Sequence, residues 1–206
     1  MIVDFDILLI TDRKIVPEGS FFTRLQGALK AGIRSVQLRE KDISVGELTQ
    51  YALKAREMTR EFNASLFIND RVDVAMAVGA DGVHLGRRSM PVKAVRAIAR
   101  KGFMIGVSTH SLEEAADAGH EGADFITFGP VYETHSKLRY GSPLGIEMLR
   151  KATSSIKIPV YAVGGINNGN INDVMETGVK GVAMISAIFG ADNVEQKTGE
   201  IVRLIQ

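Results

Sequence analysis

Arg39 and Lys41 stand two residues apart beside Gln37, and Lys137 lies in a segment crowded with Thr134, His135, Ser136, Arg139 and Tyr140. Guanidinium and ammonium groups gathered with short donors such as Ser108, Thr134 and Ser136 bind phosphate through charge-assisted hydrogen bonds. Two turns, Gly164-Gly165 and Ile185-Ser186, each open toward a helix and can add backbone N–H groups to an anion. The chemistry open to such a set is electrostatic. It can hold a polyphosphate and stabilise negative charge that grows on it.

Those residues are far apart in the chain, so the elements that carry them decide whether they meet. Short apolar runs predict strands at residues 7–11, 34–40, 65–68, 81–85, 103–107, 124–128, 158–163 and 179–184. Helical spacing predicts helices over 21–31, 48–58, 72–78, 92–99, 144–152, 170–176 and 192–205. A capping box, Ser111 to Glu114, starts one more. Strand and helix alternate throughout. In residues 34–40 the period of two puts Gln37, Arg39 and Lys41 on one side, away from Val36 and Leu38.

A repeat sharpens the reading. AGIRSVQL (31–38), VGADGVHL (78–85), EGADFITF (121–128) and TGVKGVAM (177–184) share a glycine that ends a helix, a short turn and a strand. The intervals between these glycines suit two strand–helix units each, which makes eight strands. Eight alternating units in one domain over residues 1–206 predict an α/β fold, a single (β/α)8 TIM barrel, at the short end of that fold's size range. An open doubly wound sheet is the alternative. It is disfavoured by the element count and by the lack of a GxGxxG run after the first strand.

In such a barrel the chemistry sits at the carboxyl ends of the strands. Those ends supply Gln37, Arg39 and Lys41; Asn69 and Asp70; His84 and Gly86; Ser108 and His110; Gly164 and Gly165; Ile185 and Ser186. From the sixth strand hangs the longest connection of the chain, residues 128–142, of a length that usually means function. Bland roles compete at several positions. Asp70 suits an N-cap, His84 an interior histidine and His110 a local hydrogen bond. Arg39 and Lys41 can equally be a solvated strand end paired to Glu40 and Asp42. Gln37 is harder to dismiss, because a buried amide is costly unless paired.

Composition narrows the classes. A formal charge of +1, 6% aromatics, no Trp and no basic block argue against a nucleic-acid partner. The absence of cysteine excludes disulfides and thiolate chemistry. The amino terminus has only a short apolar core flanked by acids, neither a signal peptide nor a span, so a cytoplasmic protein without membrane contact is expected. No lysine lies within a predicted strand except Lys180, at the wrong end for a Schiff base in an aldolase-like barrel.

VQLREKD (36–42), IND (68–70), DGVHLG (81–86), GVSTHS (106–111), FGPVYETHSK (128–137), VGGI (163–166) and MISAI (184–188) together resemble the signature segments of the thiamine phosphate synthase family, which also includes the TenI-like thiazole tautomerases. The resemblance runs through nearly the whole chain. It implies a magnesium-assisted transferase joining hydroxymethylpyrimidine diphosphate to thiazole phosphate with loss of pyrophosphate. Gln37, Leu38, Arg39, Glu40, Lys41, Asn69, Ser108 and Lys137 would hold the pyrimidine diphosphate. Thr134, His135, Ser136, Gly165, Ile185 and Ser186 would receive the thiazole phosphate, and Asp70 would bind Mg2+. Arg39, Lys41 and Lys137 would be the catalytic cations. Barrel faces often pair, so a homodimer is a further expectation.

One departure stands out. The family commonly continues HLG with a glutamine and then a magnesium-binding aspartate, where this chain has HLGRRSM, placing Arg87 and Ser89 at those positions. A hydroxyl is a much poorer Mg2+ ligand than a carboxylate. Two alternatives therefore stay open: a tautomerase, needing an acid/base group but no metal, and a silent phosphate-binding regulatory barrel. Pro130 stands where some TenI-like proteins have a histidine, which favours the synthase branch.

Overall fold

The computed structural model describes residues 3–134 and 142–205. Eight parallel strands close on themselves in sequence order: β1 Ile7–Ile10, β2 Ser35–Leu38, β3 Ser65–Asn69, β4 Gly82–Leu85, β5 Met104–Thr109, β6 Phe125–Phe128, β7 Val160–Val163 and β8 Gly181–Met184. Closure is direct, with Ile7, Leu8 and Leu9 in register against Val182, Ala183 and Met184. An open sheet would leave β1 and β8 unpaired, so that alternative is excluded.

Helices α1 Phe21–Lys30, α2 Val45–Glu61, α3 Val72–Ala77, α4 Val92–Ile98, α5 Leu112–His120, α6 Gly145–Ser155, α7 Ile171–Met175, α8 Ser186–Phe189 and α9 Val194–Ile205 surround the strands. Their apolar stripes meet the outward strand residues, such as Val36, Leu38, Leu66 and Ile68, in one continuous core. The repeat has a physical basis. Gly32, Gly79, Gly122 and Gly178 all have positive φ, the conformation that turns a helix end back toward the next strand.

The barrel interior is two-layered. Phe5 plugs the amino-terminal end, stacked on Tyr161 with centroids 4.9 Å apart and edge-on to Phe67 and Phe125. Tyr161 donates its hydroxyl to the Phe5 carbonyl at 2.6 Å. Room for the rings comes from missing side chains: a Cβ at Gly106 would lie 2.4 Å from the Phe125 ring, and one at Gly82 2.8 Å from Phe67. This apolar half leaves the carboxyl-terminal half to polar groups.

Boundaries differ from the expected ones in ways that matter. β2 stops at Leu38 rather than residue 40, because the Arg39 N–H leaves the ladder for the Thr11 hydroxyl. β5 continues to Thr109, held by register to Phe128. At α5 the Ser111 hydroxyl accepts from Glu114 N–H, yet the Glu114 carboxylate takes the His110 N–H instead of completing the box. A complete box heads α2, between Ser44 and Glu47. The helix toward which Ile185-Ser186 opens is the short α8, and a 3-10 turn, Arg13–Ile15, was not anticipated.

Candidate active site

At the carboxyl end of the barrel, five neighbouring strands turn a polar side chain inward: Gln37, Asn69, His84, Ser108 and Thr127. Gln37 Nε2 donates to Asn69 Oδ1 at 3.0 Å, while Gln37 Oε1 is buried with no partner. His84 Nε2 lies 3.0 Å from the Ser108 hydroxyl and 3.3 Å from that of Thr127. His84 is thus an interior histidine integrated into a hydroxyl network. His110 bonds locally, to Glu114 at 3.2 Å.

Above this floor stand Arg39 and Lys41. Their acidic neighbours are taken by others. Glu40 is buried, accepting from the Thr11 hydroxyl at 2.7 Å and the Arg13 N–H at 3.1 Å. Asp42 pairs with Arg13 at 2.6 Å and Lys14 at 3.0 Å. Among the described residues neither Arg39 nor Lys41 has an ion-pair partner, so a strand end neutralised by its own acids is not what forms. Partial burial, then the charge of Arg39, lowers the pKa of the Lys41 ammonium; Arg88 adds to the effect and Asp70 opposes it. Lys41 thus lies within electrostatic reach of side chains from β2, β3 and the loop after β4. Burial raises the pKa of the Glu40 carboxyl, and its bonds to Thr11 and Arg13 pull it part of the way back.

Asp70 does not cap α3. The residue at that cap is Arg71, without a side-chain bond, and Asp70 sits at φ 67 with its N–H on the His84 carbonyl at 2.9 Å. A left-handed aspartate at a strand end is a strained conformation of the kind found where a carboxylate must be aimed. Ser89 is engaged within its own loop and offers a cation no carboxylate. Its hydroxyl accepts the Gly86 N–H at 2.7 Å, closing its own turn. No group of three or more histidines, aspartates and glutamates suited to a metal exists among the described residues. Of the described residues, Asp70 would offer a divalent cation one carboxylate here, leaving its other positions to further oxygens and water.

Across the mouth lie the glycine turns. Gly164 and Gly165 have φ 99 and 68, and a Cβ on Gly165 would approach the Glu133 carbonyl and Tyr132 Cβ to 2.6 Å. Asn170 Nδ2 and Asn167 Nδ2 donate to the Gly165 carbonyl at 3.0 and 3.3 Å, which fixes that peptide and with it the direction of its neighbours. Ile185 precedes α8, and Ser186, exposed, begins it. Thr134 is half-buried at the end of the described β6 loop. His135, Ser136 and Lys137 lie outside the described residues.

Thr11, Thr127, Asn167 and Asn170 were missed in the sequence. Thr127 had a usable signal, a hydroxyl inside the apolar run FITF, whereas Thr11 reads as the end of an apolar strand. The other two lie in an asparagine-rich turn whose composition says only that it is a turn.

Comparison with known proteins supplies the family. The profile described as thiamine monophosphate synthase matches residues 7–188. A Geobacter sulfurreducens protein is 47% identical over 98% of this chain and 95% of its own. The thiamine-phosphate synthase of Clostridium acetobutylicum is 41% identical over 95% of this chain and 92% of its own. The solved thiamine phosphate pyrophosphorylase of Pyrococcus furiosus superposes with a TM-score of 0.89 at 41% identity, covering 98% of this chain and 95% of that one. The chain belongs to the thiamine monophosphate synthase family.

Proposed function

We propose that this chain is a thiamine-phosphate synthase, transferring the hydroxymethylpyrimidine group from its diphosphate to the ring nitrogen of thiazole phosphate. The observation that carries the site is the pair of cations, Arg39 and Lys41, whose neighbouring acids are engaged elsewhere. Their charge is available to a diphosphate.

The reaction is a displacement. The bond from the pyrimidine methylene to the bridging oxygen breaks, its electron pair leaves on pyrophosphate, and the thiazole nitrogen lone pair forms the new C–N bond. No proton has to be removed, so the chemistry needs no acid/base pair. Arg39 and Lys41, with Lys137 as the third proposed cation, meet more negative charge in the transition state than in the ground state, which is the condition for lowering the barrier. Gln37 Oε1 accepts from the exocyclic amine of the pyrimidine, and Asn69 and Ser108 complete that pocket. Leu38 and Glu40 contribute through their backbone. Gly165, Ile185 and Ser186, with Thr134, His135 and Ser136, receive the thiazole phosphate. Holding both substrates in line supplies a further share of the rate.

Mg2+ belongs to the same proposal, held by Asp70 and the diphosphate; when bound it would neutralise part of the phosphate charge. A homodimer in the cytoplasm completes it. Among the described residues no helix is long and apolar enough to cross a membrane. Phosphorus NMR of the purified protein with both substrates and Mg2+ tests the reading. Thiamine phosphate and pyrophosphate should appear together, while a thiazole carboxylate phosphate offered in parallel should not isomerise.

A further inference from the structure

Thr11 is fully buried and its hydroxyl is a junction. It donates to Glu40 Oε1 at 2.7 Å and accepts from the Arg39 N–H at 3.0 Å, while the Thr11 N–H takes the Gln37 carbonyl at 3.0 Å. Glu40 uses its second oxygen on the Arg13 N–H at 3.1 Å, with Arg13 Nε at 3.9 Å. Farther out, Asp42 holds Arg13 and Lys14. Thr11, Arg13 and Lys14 all come from the loop after β1. That loop grips residues 37–42 at successive points and holds Glu40 buried, while Arg39 is half-buried and Lys41 more open to solvent.

We propose that Thr11 and Glu40 are positioning residues for the diphosphate site, fixing the backbone of Arg39 and keeping the acid of residue 40 away from the two cations. This rests on the reading that Arg39 and Lys41 bind the diphosphate. The physical need is plain. Arginine and lysine side chains lose much rotamer entropy when they are ordered on an anion. A flexible β2 end would add backbone entropy to that loss, and a swung-out Glu40 would neutralise the charges outright. A strand that ends at Leu38 has no ladder bonds to hold residues 39–41, and the threonine–glutamate contact replaces them.

The test is calorimetric binding of inorganic pyrophosphate, without and with Mg2+, to the full-length protein and to T11S, T11V and E40Q, with thermal unfolding and steady-state kinetics alongside. T11S keeps the hydroxyl and should bind within about twofold of the wild type. T11V should bind about tenfold more weakly and raise KM for the pyrimidine diphosphate while leaving KM for thiazole phosphate in place. E40Q gives a decisive sign. Removing a negative charge near two cations should tighten pyrophosphate if the residue acts by charge alone, and should weaken it if the residue acts by position. Weakening in both T11V and E40Q, with T11S rescued, supports the proposal. Wild-type or tighter binding by E40Q, or equal binding by T11V and T11S whatever their unfolding temperatures, overturns it. Absence of pyrophosphate binding by the wild type would instead remove the underlying reading, and the proposal with it.

Discussion

Gln37 donates to Asn69 across two neighbouring strands at 3.0 Å and keeps its own carbonyl oxygen buried without a partner. An orphaned buried acceptor costs about 1–3 kcal/mol. Folding therefore carries a cost here that a ligand donor can recover. Gln37→Leu removes the orphan and leaves the half-buried Asn69 open to water, so its melting temperature should equal or exceed that of the wild type. KM for the pyrimidine diphosphate should nevertheless rise about tenfold or more. A variant both less stable and fully active would show that Gln37 serves the fold and not the site.

The metal dependence should be that of a weak, substrate-completed site. Asp70→Asn tolerates the left-handed backbone better than alanine does and removes only the charge. It should depress turnover and raise the Mg2+ concentration needed for half-maximal rate. Ser89→Asp should lower that concentration, because a carboxylate can keep the Gly86 N–H on one oxygen and offer the other to the cation beside Asp70. Titration of rate against Mg2+ for the three proteins checks both. An unchanged requirement in Asp70→Asn would remove it as a ligand.

Lys41 makes a pH signature. Its lowered pKa, caused first by burial and then by Arg39, means that the positive charge is lost at a lower pH than in an ordinary lysine. Pyrophosphate binding should accordingly weaken as pH rises through that lowered value, and binding should draw a proton onto the protein there. Arg88→Ala removes one repelling charge, so it should shift the alkaline limb upward. Binding measured between neutral and alkaline pH in buffers of different ionisation enthalpy reads both effects. A limb that does not move in Arg88→Ala would break the link between the two loops.

Gly165→Ala addresses the other half of the site. The added methyl would meet the Glu133 carbonyl and Tyr132 at 2.6 Å in a backbone at φ 68. The β6 loop must move, and KM for thiazole phosphate should rise more steeply than KM for the diphosphate. Equal effects on both substrates would place this turn outside the thiazole phosphate site.

The barrel was legible because it is written redundantly: glycine, turn and strand recur at 32, 79, 122 and 178, and each is a local rule that needs no distant partner. Strand-end side chains such as Gln37, Asn69 and Ser108 were legible for the same reason, since topology alone brings strand ends to one face. What stayed hidden depends on who bonds to whom across the fold. Glu40 and Asp42, being adjacent in sequence, competed as partners for Arg39 and Lys41. They are claimed by Arg13, Lys14 and Thr11, which arrive from the loop after β1. Asp70 suited a cap by residue type as well as a metal site, but the bond of its N–H to His84 holds it in a conformation that capping does not use.

The proposed catalysis turns on the charge of Arg39 and Lys41 acting on a leaving diphosphate. Its most direct test is pyrophosphate release by the purified protein at saturating Mg2+, with the pyrimidine diphosphate and thiazole phosphate together, in the wild type and in Arg39→Ala and Lys41→Ala. The expected result is pyrophosphate and thiamine phosphate in equal amounts from the wild type, with each variant slowed about a hundredfold or more, the scale of losing one well-placed charge at a transition state. Equal rates in wild type and variants, or no pyrophosphate from the wild type with both substrates present, would contradict it.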